Sequence, residues 1–468
     1  MKQSLLMPAV AAAVLAADAA QADISISNKP TQNMDCVSGV CTATAQKAVL
    51  NVGNLQTMLA SGDVTVKTGA LARDIDVDQP LTWATTSRLT LDAKNSVAVN
   101  RAVTVTGKGG LTIATNDGGK NGDLLFREKG KIAFWDLRSS LAINGKAYAL
   151  ANTFRGLIEA IAQNPKGRYA LASDYDAKDD GTYRAVPIDV LDGVVEGLGN
   201  KIANLSIDVQ STAAHRGRGS RPPAAAFRQN TGIIRDLALV DETVLGDQKG
   251  SVAGLVENNY GTVSHCFVSG RVEGRAGGGL VSTNAGLITA SASAAAVRGG
   301  QRGGLGGLVG WNGGTISQSF ATGAISNGGS NAGGLADFNE GEVRDSYSTG
   351  SVDKNRTDDH TGGLIEETHG SISTSYSTGF VGGYPGTAGG LIGWDAVSNN
   401  TDTYWDLDTS NVSDPARGAG NIANDPGITG LSDAELKSEL PDGFDPNICA
   451  SDPNINNGYP YLLANPPR

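Results

Sequence analysis

The chain has 468 residues, 63 of them Gly, and a formal net charge of −11 at pH 7. So acidic a surface repels phosphate backbones and excludes nucleic acid as the expected partner, while 40% hydrophobic residues, recurring periodically, exclude disorder. Glycine at about twice average usage, without a collagen triplet, predicts many tight turns in a repeated architecture.

Residues 1–22 read as a secretory signal. Lys2 supplies the positive start, Leu5 to Ala17 is an apolar run too short to cross a bilayer, and Ala20-Gln21-Ala22 is a small-x-small cleavage site, which makes Asp23 the expected mature start. No later apolar run reaches membrane-spanning length, so the chain is not expected to span a membrane. Residues 23–60 form a polar lead-in, a candidate cap. Within it, Cys36 and Cys41 lie close enough in sequence for a disulfide loop, which an exported protein would form.

Residues 61–150 alternate apolar and polar residues in short runs such as Arg88-Leu89-Thr90-Leu91-Asp92 and Ala102-Val103-Thr104-Val105-Thr106, the pattern of strands with one buried face. Residues 151–229 are transition coils with one helix at 153–163, where Phe154, Leu157, Ile158 and Ile161 share a face behind a Thr153 cap. There follows an acidic loop, Asp174, Asp176, Asp179 and Asp180, a calcium candidate by ligand spacing and equally an ordinary solvated Asp-Gly turn. A basic segment with His215, Arg216, Arg218 and Arg221, followed by Arg228, stands out in an acidic chain and is a candidate ligand-binding loop between two coils.

From 230 to 400 the sequence repeats. A Gly-Leu pair places Leu255, Leu280, Leu308, Leu335, Leu364 and Leu391 at steps of 25, 28, 27, 29 and 27 residues. Five columns follow it. One holds Gly261, Gly286, Gly314, Gly341 and Gly370; the next, Val263, Ile288, Ile316, Val343 and Ile372. A small-residue column holds Cys266, Ser291, Ser319, Ser346 and Ser375, and beside it stand Phe267, Ala292, Phe320, Tyr347 and Tyr376. The last holds Val272, Val297, Ile325, Val352 and Val381. One copy cannot bury its own apolar face, whereas stacked copies pair each strand with its equivalent about 4.8 Å away. The expectation is an all-β chain, a right-handed parallel β-helix (β-solenoid) of roughly a dozen coils at about 27 residues each. Glycine in each coil is expected to supply positive φ at a corner. The small column is expected inside, with Cys266 as a packing residue, and the aromatic column reads either as core or as an exposed platform for sugars. Residues 401–468, with a capping box at Ser432 and Glu435 ahead of a helix at 433–439, read as the C-terminal cap.

Blocks such as Gly306-Gly307-Leu308-Val309-Gly310-Trp311-Asn312-Gly313-Gly314-Thr315-Ile316 and Ser346-Tyr347-Ser348-Thr349-Gly350-Ser351-Val352 resemble GLUG motifs, found in filamentous-haemagglutinin-like adhesins and in some streptococcal immunoglobulin A proteases. Leu198-Gly199-Asn200-Lys201-Ile202-Ala203-Asn204-Leu205 is similar to the coil ahead of such arrays, and Tyr459-Pro460-Tyr461-Leu462 to the tail after them. The resemblance covers roughly residues 61–463. It implies a bacterial protein, secreted or on the cell surface, that binds host or bacterial surface glycan or protein through its repeat scaffold. It also implies an outer-membrane secretion partner, although the long transport domain of two-partner systems has no counterpart in residues 23–60 and the periplasm stays open as an endpoint.

No cofactor is implied. His215, His265, His360 and His369 are scattered, no Ser-His-Asp signature is present, and Glu366-Glu367-Thr368-His369 lacks the spacing of a zinc protease motif. The expectation is an adhesin without enzymatic activity. The alternatives are a stalk that binds nothing, and a β-helical polysaccharide lyase or hydrolase, which would need charged residues clustered in one groove.

Overall fold

The structure, a computed structural model, describes residues 23–210, 222–247, 249–299, 303–327, 331–354, 360–383 and 387–467. The expected signal at 1–22 lies outside the described residues. The chain is a parallel β-solenoid of about 14 turns with few helices. It divides into two compact units, the first built from residues up to Val103 with 109–130 and 142–145, the second from 104–108, 131–141 and 146 onward.

In the first unit, Asp23–Ser27 lies parallel between Ala48–Asn51 and Asp74–Val77, and the sheet continues through Val97–Val99 to Leu124–Phe126. Residues 23–60 are therefore coils of the stack and not a lead-in ahead of it. Ile24, Ile26 and Leu50 are fully buried. The helix Val52–Ser61 starts where the Asn51 side chain accepts from the Gly53 and Asn54 amides, and it buries Leu55 and Leu59. Cys36 and Cys41 face each other across an antiparallel hairpin and are joined by a disulfide.

The second unit carries the repeat. One sheet stacks eight strands from Ile188–Leu191 to Ile392–Asp395 through Val256–Asn259, Val281–Asn284, Val309–Asn312, Ala336–Asn339 and Ile365–Thr368. A six-stranded sheet runs from Ser251–Ala253 to Ala388–Gly389, and a third ladder carries the remaining columns. Equivalent residues pair in register, as in Val281↔Val309 and Val309↔Ala336. Every repeated Leu, the Val/Ile column from Val263 to Ile372 and the column from Val272 to Val381 are at most 1% exposed. The helix Phe154–Gln163, capped by Thr153, buries Phe154, Leu157 and Ile161.

Two polar ladders thread this apolar interior. Asn230, Asn259, Asn284, Asn312 and Asn339 are each 0% exposed. Each of the first four donates its side-chain NH2 to the carboxamide oxygen of the next, at 2.8, 2.8, 2.7 and 2.8 Å, and Asn339 donates to the Thr368 hydroxyl at 3.0 Å. In the small-residue column, the backbone N–H of Cys266, Ser291, Ser319 and Ser346 donates to the serine Oγ one coil on, at 3.1 to 3.2 Å. The Ser319 and Ser346 hydroxyls in turn donate to the carbonyls of Ser317 and Arg344. A buried polar group is tolerated because it is paired on both sides.

The corners differ from expectation. The recurring positive φ falls on the residue before the small column: Asp236, His265, Ala290, Gln318, Asp345 and Thr374, at φ of 42° to 54°. The glycines are needed for close approach instead. A Cβ on Gly286, Gly314, Gly341 or Gly370 would lie 2.0 to 2.1 Å from the carbonyl oxygen of the equivalent glycine one coil back.

The C-terminal segment has two parts. Trp405, 0% exposed, plugs the interior with Ala419, while Leu407, Ile422 and Ile428 pack against them. Ile428–Leu431 then pairs with Asn400–Asp406 as a last rung. From there the chain turns back along the flank. The helix Asp433–Ser438, opened by the Ser432/Glu435 capping box, buries Leu436, and Phe444, Cys449, Tyr459 and Leu462 join it over the aromatic column. Phe320 stacks on Tyr347 at 4.8 Å and Tyr347 on Tyr376 at 5.0 Å. The Tyr376 hydroxyl donates to the Pro460 carbonyl and the Tyr404 hydroxyl to that of Asp442.

Replacing Asn312 with Ala should leave the Asn284 NH2 and the Asn339 oxygen without their ladder partner. The expected cost is about 2–3 kcal/mol, read from denaturant unfolding as a lower midpoint at an unchanged slope. A midpoint equal to the parent's would show that the ladder contributes nothing.

Candidate ligand-binding face

The aromatic column named in the sequence is not a free platform. Phe320, Tyr347 and Tyr376 are at most 2% exposed, beneath the C-terminal segment. A different column is open. In the eight-stranded sheet, the position three residues after each repeated Leu holds Trp311, Phe338, Glu367 and Trp394, which are partners in register. Its neighbours fix its direction: Val309, Ala336, Ile365 and Ile392 fill the interior on one side, and the asparagine ladder does so on the other. Three steps of about 4.8 Å place Trp394 about 14 Å from Trp311. Trp311 and Phe338 are half-buried and Trp394 is 39% exposed.

The side chains of this column hold one another. The Trp311 indole N–H donates to Glu340 Oε2 at 3.1 Å, and its ring lies over the next turn, where a Cβ on Gly313 would come within 2.1 Å of it. The Phe338 ring sits 5.3 Å from that of His369, whose Nε2 is 2.8 Å from Glu367 Oε1. The Trp394 ring sits 4.9 Å from that of His360, whose Nδ1 is 3.7 Å from the buried Glu366. Beneath the strip, burial and then the charge of Glu367 push Asp337 up to about 8. Asp337 is thus a protonated donor at neutral pH. The face offers flat rings flanked by hydrogen-bonding groups at fixed spacing, an arrangement suited to binding.

The residues singled out in the sequence lie elsewhere. His215, Arg216, Arg218 and Arg221 lie outside the described residues. Arg228 pairs with Asp189 at 3.0 Å. In the acidic loop, Asp174 pairs with Lys131 at 2.7 Å and accepts from the Lys201 amide. Asp176 accepts from Asn204 and from the Lys178 amide, and the Asn204 bond chiefly holds it below the usual carboxylate range. Asp180 accepts from the Tyr175 and Tyr183 hydroxyls, and Asp179 is in the first turn of the short 3-10 helix there. Among the described residues no three or more His, Cys, Asp or Glu side chains are arranged to hold a metal ion. Cys266 is 1% exposed, and burial pushes its thiol up to about 12.

The first unit carries a separate polar cavity of about 240 Å³, lined by Asp23, Asp74, Asp76, Asn95, Ser96 and Arg127 among others. Asp23 stands beside Asp74 in register. Burial, then the neighbouring carboxylates, push Asp23 up to about 6 and Asp76 up to about 7, against the opposing pull of Arg127. Because these values are raised on folding, the folded state binds the extra protons. The contribution is fully present below about pH 4 and is lost as pH rises through about 7. The first unit should therefore melt at a lower temperature at about pH 8 than at about pH 5, and Asp76→Asn should flatten that dependence. A pH-independent melting curve for the parent would contradict the geometry.

No family model matches the chain, and no curated protein matches it. Among solved structures, the chain is similar to a Bacteroides ovatus protein provisionally assigned as an immunoglobulin A1 protease, at 17% identity and a TM-score of 0.46, with 68% of this chain and 93% of that one covered.

Proposed function

We propose that this chain is an exported, adhesin-like binding protein of the bacterial surface, which presents a ligand-binding face on a β-solenoid scaffold and catalyses no reaction. The observation that carries the reading is the open column of Trp311, Phe338 and Trp394, set among histidines and carboxylates and left uncovered while the equivalent Phe320–Tyr376 column is buried under the C-terminal segment. A side chain that served only the fold would be expected in the interior; two tryptophans on an outer face cost solubility unless they bind something. The resemblance of the repeat to GLUG arrays of filamentous-haemagglutinin-like proteins points the same way. A secretory signal at 1–22 and the disulfide between Cys36 and Cys41 fit an oxidising compartment. Multivalent display on a cell would turn shallow contacts into durable attachment.

The test is binding of the fluorescently labelled full chain to host epithelial cells and to bacterial cells. Saturable binding to at least one of them is expected. Absence of binding to every surface, with a β-rich circular dichroism spectrum and a cooperative melt intact, would remove the adhesin reading in favour of a stalk.

A further inference from the structure

We infer that the strip of Trp311, Phe338 and Trp394 binds an uncharged polysaccharide, laid along the stacking direction with successive sugar rings against successive coils; the inference deepens the adhesin reading and rests on it. Four features of the face select that ligand over others. First, its binding elements are aromatic rings at a repeat of about 4.8 Å, so the matching ligand is itself a linear repeat with apolar ring faces. Second, the rings are held before any ligand arrives: the Trp311 indole is fixed by Glu340 at 3.1 Å over Gly313, and the Trp394 ring is packed by His360 at 4.9 Å. Pre-set rings reduce the ordering cost of binding a long flexible chain.

Third, polar groups flank the rings at the level where sugar hydroxyls would project. Glu340 and Glu367 each use one oxygen on a protein partner, the Trp311 N–H and His369, and present a second oxygen as an acceptor. His369 adds a ring nitrogen next to Phe338. Fourth, the charge is wrong for a polyanion. The strip holds two carboxylates within a chain of net charge −11, so a sulfated or uronic chain would be repelled. A basic peptide would satisfy the charge, but each carboxylate is already engaged by a donor from the protein, and the rings are spaced for a regular chain of identical units.

The discriminating experiment is affinity electrophoresis of the full chain in gels containing mixed-linkage β-glucan, galactomannan, xylan or dextran, with heparin and poly-L-lysine gels alongside. Retardation by at least one neutral polysaccharide and none by heparin is expected. The double variant Trp311→Ala, Trp394→Ala should lose at least about tenfold in affinity at an unchanged melting temperature, and the double Tyr variant should keep part of it. No retardation in any neutral gel, or retardation undiminished by the Ala pair, overturns the assignment, and so does retardation by poly-L-lysine alone. If cells are still bound by the Ala pair, the adhesin reading survives and the strip does not. If polysaccharide is bound but no cell is, the strip survives and the adhesin reading falls.

Discussion

A backbone amide in a solenoid coil finds its partner in the coil above or below, and every other feature of the second unit follows from that constraint. Equivalent residues must stack at one strand spacing, so whatever occupies a column has to be compatible with a copy of itself about 4.8 Å away. Valine, isoleucine and leucine meet this by dispersion contact. Asparagine meets it differently: its carboxamide has a donor and an acceptor, so a column of five can chain itself from Asn230 to Asn339 without an orphaned group between. The chain ends where asparagine does, on the Thr368 hydroxyl, with Asp395 in the following coil.

The same constraint divides the outer surface. A column of aromatic rings facing solvent would be an apolar stripe, and the protein covers one such stripe and leaves another. Over Phe320, Tyr347, Tyr376 and Tyr404, the segment from Asp433 to Leu462 lies along the flank and spends its own hydrogen bonds on the tyrosine hydroxyls. Over Trp311, Phe338 and Trp394 no described segment packs in this way, and histidines and carboxylates fill the gaps between the rings. The unevenness of this cover, on one scaffold, is the physical basis for placing ligand recognition on the eight-stranded sheet.

The architecture was legible because its signal is repeated. Period, apolar columns and the small Cys/Ser column all emerge from aligning copies, and the helix at Phe154–Gln163 and the capping box at Ser432 are local patterns that need no partner. The misses have physical causes. Positive φ was assigned to glycine, the residue that adopts it most readily, but the crowding that demands glycine here is with the coil behind, which a single copy does not reveal. Residues 23–60 carry alternations as short as Ile24 and Ile26, too brief to stand out from their polar neighbours. The binding strip and the asparagine ladder were both present in the alignment, three and four residues after each repeated Leu. The ladder passed unread because Asn usually signals a turn, the strip because Trp311, Phe338, Glu367 and Trp394 share a direction and not a residue type. The C-terminal segment's position on the flank depends on contacts between residues 84 apart, such as Tyr376 and Pro460, which no local pattern encodes.

Hydrogen exchange across the repeat tests most directly whether the coils are held as a mutually dependent stack. Amides in Val256–Asn259, Val281–Asn284, Val309–Asn312 and Ala336–Asn339 should share one slow rate, and in rising guanidinium they should become labile together. Fast, unequal exchange in these four strands, each opening at its own denaturant concentration, would contradict the account, because it would mean that neighbouring coils do not depend on the ladders between them.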